Sequence, residues 1–297
     1  MSDLTELYCV MDDFCKEFEP QMDKRRLESG GVGKRRRATG LSLAELMTVL
    51  VLFHQLRYRH FKSFYLHHVG VHLRGEFPRQ VSYQRCVELM PRACEALAAL
   101  FGCLKGQCTG ISFADSTSLA VCENLRIPRH KGFEGLAQRG KTSTGWFYGF
   151  KLHIVINHLG ELLGMSVTAG NVDDRKALRD MTVTPTLFGK LFADKGYIAQ
   201  WLTQLLNDND TTLVTRVRKN MAQPQLDPFD EAVLKHRGLI ETVFDQLKNL
   251  SQIEHTRHRS VANFAVNLLS GIIAYCLQPH KPSLPLFANN PHGLAPL

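Results

Sequence analysis

The sequence predicts an α/β or α+β domain with a mixed sheet, preceded by an all-helical region. Up to about residue 105 the apolar residues recur at helical spacing, whereas from about residue 109 they alternate or form short runs typical of strands. The second region contains an antiparallel hairpin and also strands separated by helices, so its sheet is expected to combine both kinds of pairing.

The helical region is expected to span residues 1–105. Apolar residues at helical spacing predict a helix over residues 2–19. A second helix is predicted from Ser42, which forms a capping-box pattern with Glu45, and a third from Ser82. Short helices with basic connectors are compatible with helix-turn-helix DNA binding, so we expect a DNA-binding or assembly domain.

A basic stretch follows the first helix. Residues 24–40 hold seven lysines and arginines among glycines, and Glu28 is the only acid there. Two interpretations stay open: a solvated basic loop, or an arm that binds DNA phosphates. The arm would use Arg35, Arg36 and Arg37.

The second region is expected to span residues 106–278. Residues 150–157 alternate, His158-Leu-Gly160 turns the chain, and residues 161–168 return, which predicts a hairpin. Helices and strands then alternate, and a capped apolar helix closes the region. Five prolines follow Leu277, so residues 279–297 are expected to be a disordered tail.

The overall charge favours a polyanionic partner. The 297-residue chain has a formal net charge of +8 and a pI near 9.1, and nucleic acid is the usual partner of such proteins. Basic pI alone is weak evidence, because many other proteins share it.

The eight cysteines form no CxxC pair, and no secretory signal is recognised, so a reduced, cytoplasmic setting is expected. A zinc site at Cys103 and Cys108 has poor ligand spacing. The most apolar segment, residues 261–277, is too short and too polar for a membrane span.

Three acidic residues are the candidate catalytic groups. Asp115 and Asp194 each end a short apolar run that is typical of a buried strand, and Glu241 lies on a predicted helix. Two aspartates at strand ends and a glutamate on a helix can hold hard divalent cations for phosphoryl transfer.

On a helical wheel the Glu241 helix has a core stripe and a charged face. The stripe consists of Leu239, Val243, Leu247 and Leu250. Arg237 and Lys248 share the opposite face with Glu241, an arrangement that fits an ordinary surface charge row. It also fits a metal-binding carboxylate with two phosphate-binding neighbours, and the wheel alone favours the surface row.

Several blocks of the sequence resemble the catalytic blocks of bacterial insertion-sequence transposases, closest to the family numbered nine-eighty-two and related to the family numbered four. The blocks are Asp115-Ser-Thr, Ala193-Asp-Lys-Gly-Tyr197, Arg237-x₃-Glu-x₆-Lys248, Gly140 to His153, Gly170-Asn-Val-Asp-Asp174 and Arg257-His-Arg-Ser260. The family-four pattern has a tyrosine three residues before the arginine, where this chain has Leu234.

The resemblance implies an RNase H-like fold and an Asp-Asp-Glu enzyme that cleaves DNA at insertion-sequence ends and joins the 3′-OH to target DNA. It implies two Mg²⁺ ions, replaceable by Mn²⁺, with Asp115 bridging both and Asp194 and Glu241 each holding one. The expected partners are double-stranded DNA, as terminal inverted repeats and target, and a second copy in a homodimer. The expected location is the bacterial cytoplasm, at the nucleoid.

Six cations are expected along DNA phosphates: Lys141, Lys151, Arg237, Lys248, Arg257 and Arg259. Trp146 and Tyr148 are candidates for stacking on an unpaired base, and burial of one ring under the hairpin is equally compatible. Asp173 and Asp174 are expected to form a turn or helix cap rather than to bind metal.

Three rival functions remain. Gly135 to Thr142 fits the phosphate-loop expression, but the flanking sequence offers neither the preceding strand nor the following helix that such a loop needs. A DNA-binding protein that has lost catalysis would keep the fold. A metal-dependent nuclease without strand transfer would use the same three acids.

Overall fold

The computed structural model describes residues 3–29, 40–142, 145–217, 226–254 and 260–284. The chain falls into two compact units, one of Met1–Leu104 with Gln246–Leu277 and the other of Lys105–Asp245 with Gln278–Leu297. None of the helices in the described ranges combines the length and the apolar content that crossing a bilayer requires.

The elements run in the following order. The α-helices are α1 (Leu4–Glu28), α2 (Leu43–Gln55), α3 (Phe61–Ser63), α4 (Tyr83–Leu89), α5 (Cys94–Leu104), α6 (Asp174–Asp180), α7 (Gln200–Asn207), α8 (Pro228–Lys235), α9 (Gly238–Asp245) and α10 (Val261–Cys276). The strands are β1 (Ile111–Cys122), β2 (Gln138–Thr142), β3 (Gly145–Asn157), β4 (Leu162–Ala169), β5 (Gly189–Ala193) and β6 (Thr211–Thr215). Two π-helical segments, Phe64–His72 and Gln246–Leu250, continue α3 and α9.

The first unit is all helical, as predicted. The Ser42 hydroxyl accepts a hydrogen bond from the Glu45 amide at 3.1 Å, and the Glu45 carboxylate accepts from the Ser42 amide at 2.6 Å, which confirms the capping box. The Ser82 and Ser260 hydroxyls accept hydrogen bonds from the amides of Arg85 and Asn263 and so cap α4 and α10. Helix α2 is almost wholly buried because it packs against both α1 and α10.

Two features of this unit differ from the expectations. Helix α1 continues to Glu28, so the start of the predicted basic loop is helical, with Lys24 and Glu28 one turn apart and 3.9 Å between their charged atoms. Arg35, Arg36 and Arg37 lie outside the described residues. Residues 246–277 group with the N-terminal helices rather than with the second region, because α10 packs on α2 and α5.

The second unit is built on a mixed sheet of strand order β2-β3-β1-β5-β6. Strand β4 also pairs with β3, along the part of β3 that follows its pairing with β2. β3 is antiparallel to β1, β2 and β4, whereas β5 is parallel to both β1 and β6. Helices α6 and α7 cover one face through a core that includes Ala114, Val155 and Leu202. With helices flanking it, this sheet confirms the predicted RNase H-like class.

The predicted hairpin is β3 and β4, joined at Gly160, whose φ of +73° suits glycine. The backbone amide of Leu284 donates to the carbonyl of His158 at 2.8 Å. The predicted disorder of the tail is therefore wrong for residues 279–284, because this segment lies against the hairpin turn. Residues 285–297 lie outside the described residues.

Asp115 does not end a strand, contrary to the prediction. β1 continues to Cys122 because β3 pairs along it, with Ser116 opposite His153 and Ser118 opposite Lys151. The polar residues after Asp115 hid this continuation, since the sequence pattern looked for an apolar run.

The phosphate-loop alternative is excluded by β2. Residues 138–142 pair with β3 as a strand, with Lys141 opposite Trp146, and β3 rather than a helix follows. Gly140 is required there, because a Cβ would lie 2.3 Å from the carbonyl oxygen of Gly170 and 2.6 Å from the Phe147 ring.

Candidate active site

Parallel pairing of β1 with β5 brings Asp115 and Asp194 to the same level of the sheet. Phe113 lies opposite Phe192, and the two aspartates each follow that pair by two residues. β5 is an apolar strand, buried from Leu191 onward, and it ends at Ala193, directly before Asp194. The side chain of Asp194 accepts a hydrogen bond from the Gly196 amide at 2.7 Å, which starts a 3₁₀ turn.

Arg237 connects Asp115 to Glu241. Helix α8 ends at Lys235 and α9 begins at Gly238, so Arg237 lies in the turn just before the glutamate helix. Its Nη1 donates to Oδ2 of Asp115 at 3.3 Å, and its Nη2 lies 3.5 Å from Oε1 of Glu241. One guanidinium thus joins a sheet carboxylate to a helix carboxylate.

Asp115 is half-buried and lies near several charged groups. Burial raises the pKa of its carboxyl group to about 6, although the Ser116 amide and the Arg237 guanidinium lower it. The negative charges of Asp194 and Asp174 raise this pKa further. Three carboxylates therefore share one region, and repulsion between them disfavours ionisation of the most buried one.

The phenol of Tyr197 also experiences the charge of these carboxylates. Its ring is buried, and burial raises the pKa of the phenol well above its usual value. The next causes are the negative charges of Asp115, Asp174 and Asp194, in that order. The negative charges of all three acids therefore act on this one phenol.

Asp174 lies in the first turn of α6, as expected, but its ion pair with Lys151 was not predicted from the sequence. Its Oδ1 accepts a hydrogen bond from Nζ of Lys151 at 2.8 Å, and that ammonium also donates to the Val172 carbonyl at 3.0 Å. The Lys151 side chain is only 15% exposed. No spacing rule links residue 151 to residue 174, so only the fold could reveal this pair.

His153 packs on the sheet beside that pair. Its Nε2 lies 2.8 Å from the Thr168 hydroxyl, and its Nδ1 lies 3.7 Å from Oδ1 of Asp174. Burial lowers the pKa of His153 to about 4, partly opposed by Asp174 and reinforced by Lys151. The imidazole is therefore neutral at physiological pH.

Asp173 is a helix cap, as expected. Its carboxylate accepts a hydrogen bond from the Arg175 amide at 2.9 Å and caps α6. The Arg175 side chain also donates to it, which lowers the pKa of Asp173 to about 2. The two neighbouring aspartates therefore have different surroundings, since only Asp174 adds charge to the region of Asp115.

A groove of about 390 Å³ is bounded on one side by Asp174 and Gly196. Its lining includes Arg139, Lys141, Trp146, Lys151, Asn171 and Asp174. Trp146 is 62% exposed, with Nζ of Lys141 5.7 Å from its ring centroid. Burial of the Trp146 ring under the hairpin is therefore excluded. The two predicted DNA-binding residues Lys141 and Trp146 lie next to each other.

The remaining predicted cations have other positions. Lys248 belongs to the first unit, in the second π-helical segment, where its ammonium lies 3.0 Å from the Glu254 carboxylate. Of the predicted hydrophobic stripe on the Glu241 helix, Leu239, Val243 and Leu247 are buried and Leu250 is half-buried. Arg257 and Arg259 lie outside the described residues.

The donor set suits a hard divalent cation. Asp115, Asp194 and Glu241 offer carboxylate oxygens, which Mg²⁺ and Mn²⁺ prefer, and the crowded charge around Asp115 favours a cation. Among the described residues, no three Asp, Glu, His or Cys side chains converge closely enough to hold a metal ion together. Between Asp115 and Glu241 the guanidinium of Arg237 provides positive charge instead.

Comparison with known proteins identifies the family. A family model described as the transposase DDE domain matches residues 105–261, which is more than half of the chain and includes all three acids. No curated protein matches the chain. The chain therefore belongs to the DDE-domain transposases, DNA-binding nucleotidyl-transfer enzymes that generally use divalent metal ions.

Proposed function

We propose that this protein cuts DNA at the ends of an insertion sequence and joins the freed 3′-OH to target DNA, as in the insertion-sequence family numbered nine-eighty-two. Asp115, Asp194 and Glu241 are the proposed catalytic residues. The parallel register that aligns Asp115 with Asp194 carries this proposal, together with the Arg237 link from Asp115 to Glu241.

The same three carboxylates would hold Mg²⁺, with Mn²⁺ as a substitute. Bound there, the metal would activate the attacking oxygen and stabilise the charge on the leaving one. Asp115 pairs with Ile154 of β3, and its carboxylate accepts a hydrogen bond from the Ser116 amide at 2.8 Å, so its position is constrained. Asp194 is fixed by its own hydrogen bond to the Gly196 amide.

DNA is proposed to lie along the groove that starts at Trp146 and Lys141. An exposed indole offers a stacking surface for an unpaired base, and the adjacent ammonium offers a phosphate contact. Lys151 is proposed to act at the groove floor, where it holds Asp174. The other proposed phosphate contacts are Arg237, Lys248, Arg257, Arg259, Arg35, Arg36 and Arg37.

The N-terminal helices are proposed to bind the terminal repeats or to assemble a homodimer that pairs two ends. The connector between α2 and α4 supports this proposal, because Arg57, Arg59, Lys62 and Arg74 are all exposed there. Arginines and lysines on such connectors suit contact with the DNA backbone. The expected location is the cytoplasm, at the nucleoid.

Strand transfer tests the proposal. A labelled duplex carrying the element's own end is incubated with plasmid and either Mg²⁺ or EDTA, for wild type, Asp194→Asn and Asp180→Asn. Asp180 is a matched control, since it is exposed and pairs with Arg179. We expect metal-dependent joining by wild type and Asp180→Asn and none by Asp194→Asn.

The other outcomes select the rival functions. Tight binding of the end without nicking or joining would replace the proposal with a DNA-binding protein that has lost catalysis. Nicking without joining would replace it with a metal-dependent nuclease that uses the same acids.

A further inference from the structure

We propose that Arg237 holds the cation position between Asp115 and Glu241 in the metal-free enzyme, and that a divalent metal ion and this guanidinium compete for the two carboxylates. Displacement of Arg237 then frees it for a DNA phosphate, so metal and DNA strengthen each other's binding. This inference rests on the proposed function, because it takes Asp115 and Glu241 as metal ligands.

The contacts of Arg237 carry the first step. One nitrogen of the guanidinium donates to Asp115 on β1, and another contacts Glu241 on α9, at 3.3 and 3.5 Å. The Arg237 side chain is 25% exposed and the Asp115 side chain 22%, so this end of the contact is shielded from water. An internal ion pair with these two acids occupies the carboxylate oxygens that a metal ion would need.

The surrounding charge carries the second step. The negative charges of Asp194 and Asp174 also act on Asp115, so this region favours positive charge. Lys151 already pairs with Asp174, and Arg175 already pairs with Asp173. Arg237 balances Asp115 with a single charge, whereas a divalent ion brings two and can displace it.

The position of Arg237 in the chain carries the third step. It lies in the turn between α8 and α9, next to Gly238, where an added Cβ would meet nothing within 4 Å. A guanidinium released from two carboxylates keeps a fork of donors that matches a phosphate. If metal binding releases the arginine and DNA captures it, thermodynamic linkage requires that DNA tighten metal binding in return.

Binding of Mn²⁺ alone tests the competition without any reaction. Free Mn²⁺ is measured by electron paramagnetic resonance during titration of the full chain, for wild type, Arg237→Gln and Arg179→Gln. Arg179 is a matched control, since it forms an exposed pair with Asp180 in the same unit. We expect Arg237→Gln to bind Mn²⁺ about tenfold more tightly, which is the effect of roughly one lost competing ion pair, and Arg179→Gln to match wild type. Unchanged or weaker binding by Arg237→Gln would overturn the inference.

Asp115→Asn separates this inference from the proposed function. If Mn²⁺ binding is the same in Asp115→Asn and wild type, the proposed metal site itself fails. If binding requires Asp115 but Arg237→Gln does not tighten it, only the competition fails. Arg237→Lys guards against misfolding of the glutamine variant: it keeps a charge but cannot span both carboxylates, so we expect an intermediate gain in affinity.

The coupling to DNA has its own readout. Adding an end duplex should tighten Mn²⁺ binding by wild type, and this gain should be smaller in Arg237→Gln because the arginine that links the two ligands is missing. An equal gain in both proteins would show that Arg237 does not connect metal and DNA, and would overturn that part of the inference.

Discussion

The part of the sheet that carries Asp115 and Asp194 differs from the helix that carries Glu241. Asp115 lies within a strand that is hydrogen-bonded on both sides, and its side chain is 22% exposed. Glu241 lies on the outer face of α9, and its side chain is 66% exposed. The sheet therefore fixes one part of the site in place, while the glutamate is free to adjust.

This difference assigns the two regions different tasks. Partial burial disfavours the ionised form of Asp115, so on the proposed assignment this aspartate would supply most of the attraction for a metal ion. On the same assignment, the exposed Glu241 would complete the site at little cost to the stability of the fold. Removing each acid should separate these tasks.

The largest effect is expected for Asp115→Asn. Loss of the central carboxylate should lower DNA cleavage by on the order of 10³-fold or more, measured as single-turnover nicking of an end duplex. If Asp115→Asn retained more than a tenth of the wild-type cleavage rate, the assignment of Asp115 as the central catalytic carboxylate would be contradicted.

The same variant should be more stable than wild type in EDTA at pH 7. The folded pKa of Asp115 is raised to about 6, so the folded state binds its proton more tightly than the unfolded chain does. The protonated Asp115 carboxyl therefore adds to the free energy of unfolding at low pH, and this contribution is lost as pH rises from about 4 to 6. We expect wild type to lose up to about 2 kcal/mol across this window relative to Asp115→Asn, measured by urea unfolding at several pH values. Parallel pH profiles of the two proteins would contradict this account.

A smaller loss is expected for Glu241→Gln. Cleavage should fall by on the order of 10²-fold, since one ligand is lost while the sheet aspartates remain. The free energy of unfolding should hardly change, because the side chain is largely exposed. A glutamine variant as inactive as Asp115→Asn, or markedly less stable than wild type, would remove the contrast between helix and sheet.

The Lys151–Asp174 ion pair is expected to affect the free energy of unfolding, unlike the exposed Glu241. Asp174→Asn leaves a mostly buried ammonium without its carboxylate and should destabilise the fold by about 3 kcal/mol. Lys151→Met combined with Asp174→Asn should recover part of this loss, because no unpaired charge remains. Urea unfolding of the single and double variants measures the difference, and additive losses would show that the two residues do not act as a pair.

The smallest effect on the fold is expected for Trp146→Ala. Its exposed ring contributes little packing, so the free energy of unfolding should change by less than about 0.5 kcal/mol. Affinity for an end duplex with an unpaired terminal base should fall roughly tenfold, whereas affinity for a blunt duplex should change less. Equal losses for both duplexes would mean that the indole does not stack on a base.

Features that depend on neighbouring residues in the sequence were predicted correctly. The Ser42 capping box, the turn at Gly160 and the end of β5 directly before Asp194 depend on residues close together in the sequence, and the structure confirms all three. The sequence did not predict that β1 passes through Asp115 to Cys122, because pairing with β3 rather than apolar periodicity holds that segment.

The missed features all depend on contacts between distant residues. Asp174 joins the acidic region only because β3 places Lys151 beside it, and Arg237 reaches Asp115 across 122 positions of the chain. The grouping of residues 246–277 with the N-terminal helices likewise depends on how α10 packs. Motif spacing carries no information about such contacts.

Iron-directed cleavage of the protein tests the central claim most directly. Fe²⁺ replaces Mg²⁺, and ascorbate with peroxide then cuts the backbone beside the bound ion. We predict cuts near Asp115, Asp194 and Glu241, suppressed by excess Mg²⁺ and absent from Asp115→Asn. Cuts confined to other positions, or a pattern unchanged in Asp115→Asn, would contradict a single metal site built from the two sheet aspartates and the helix glutamate.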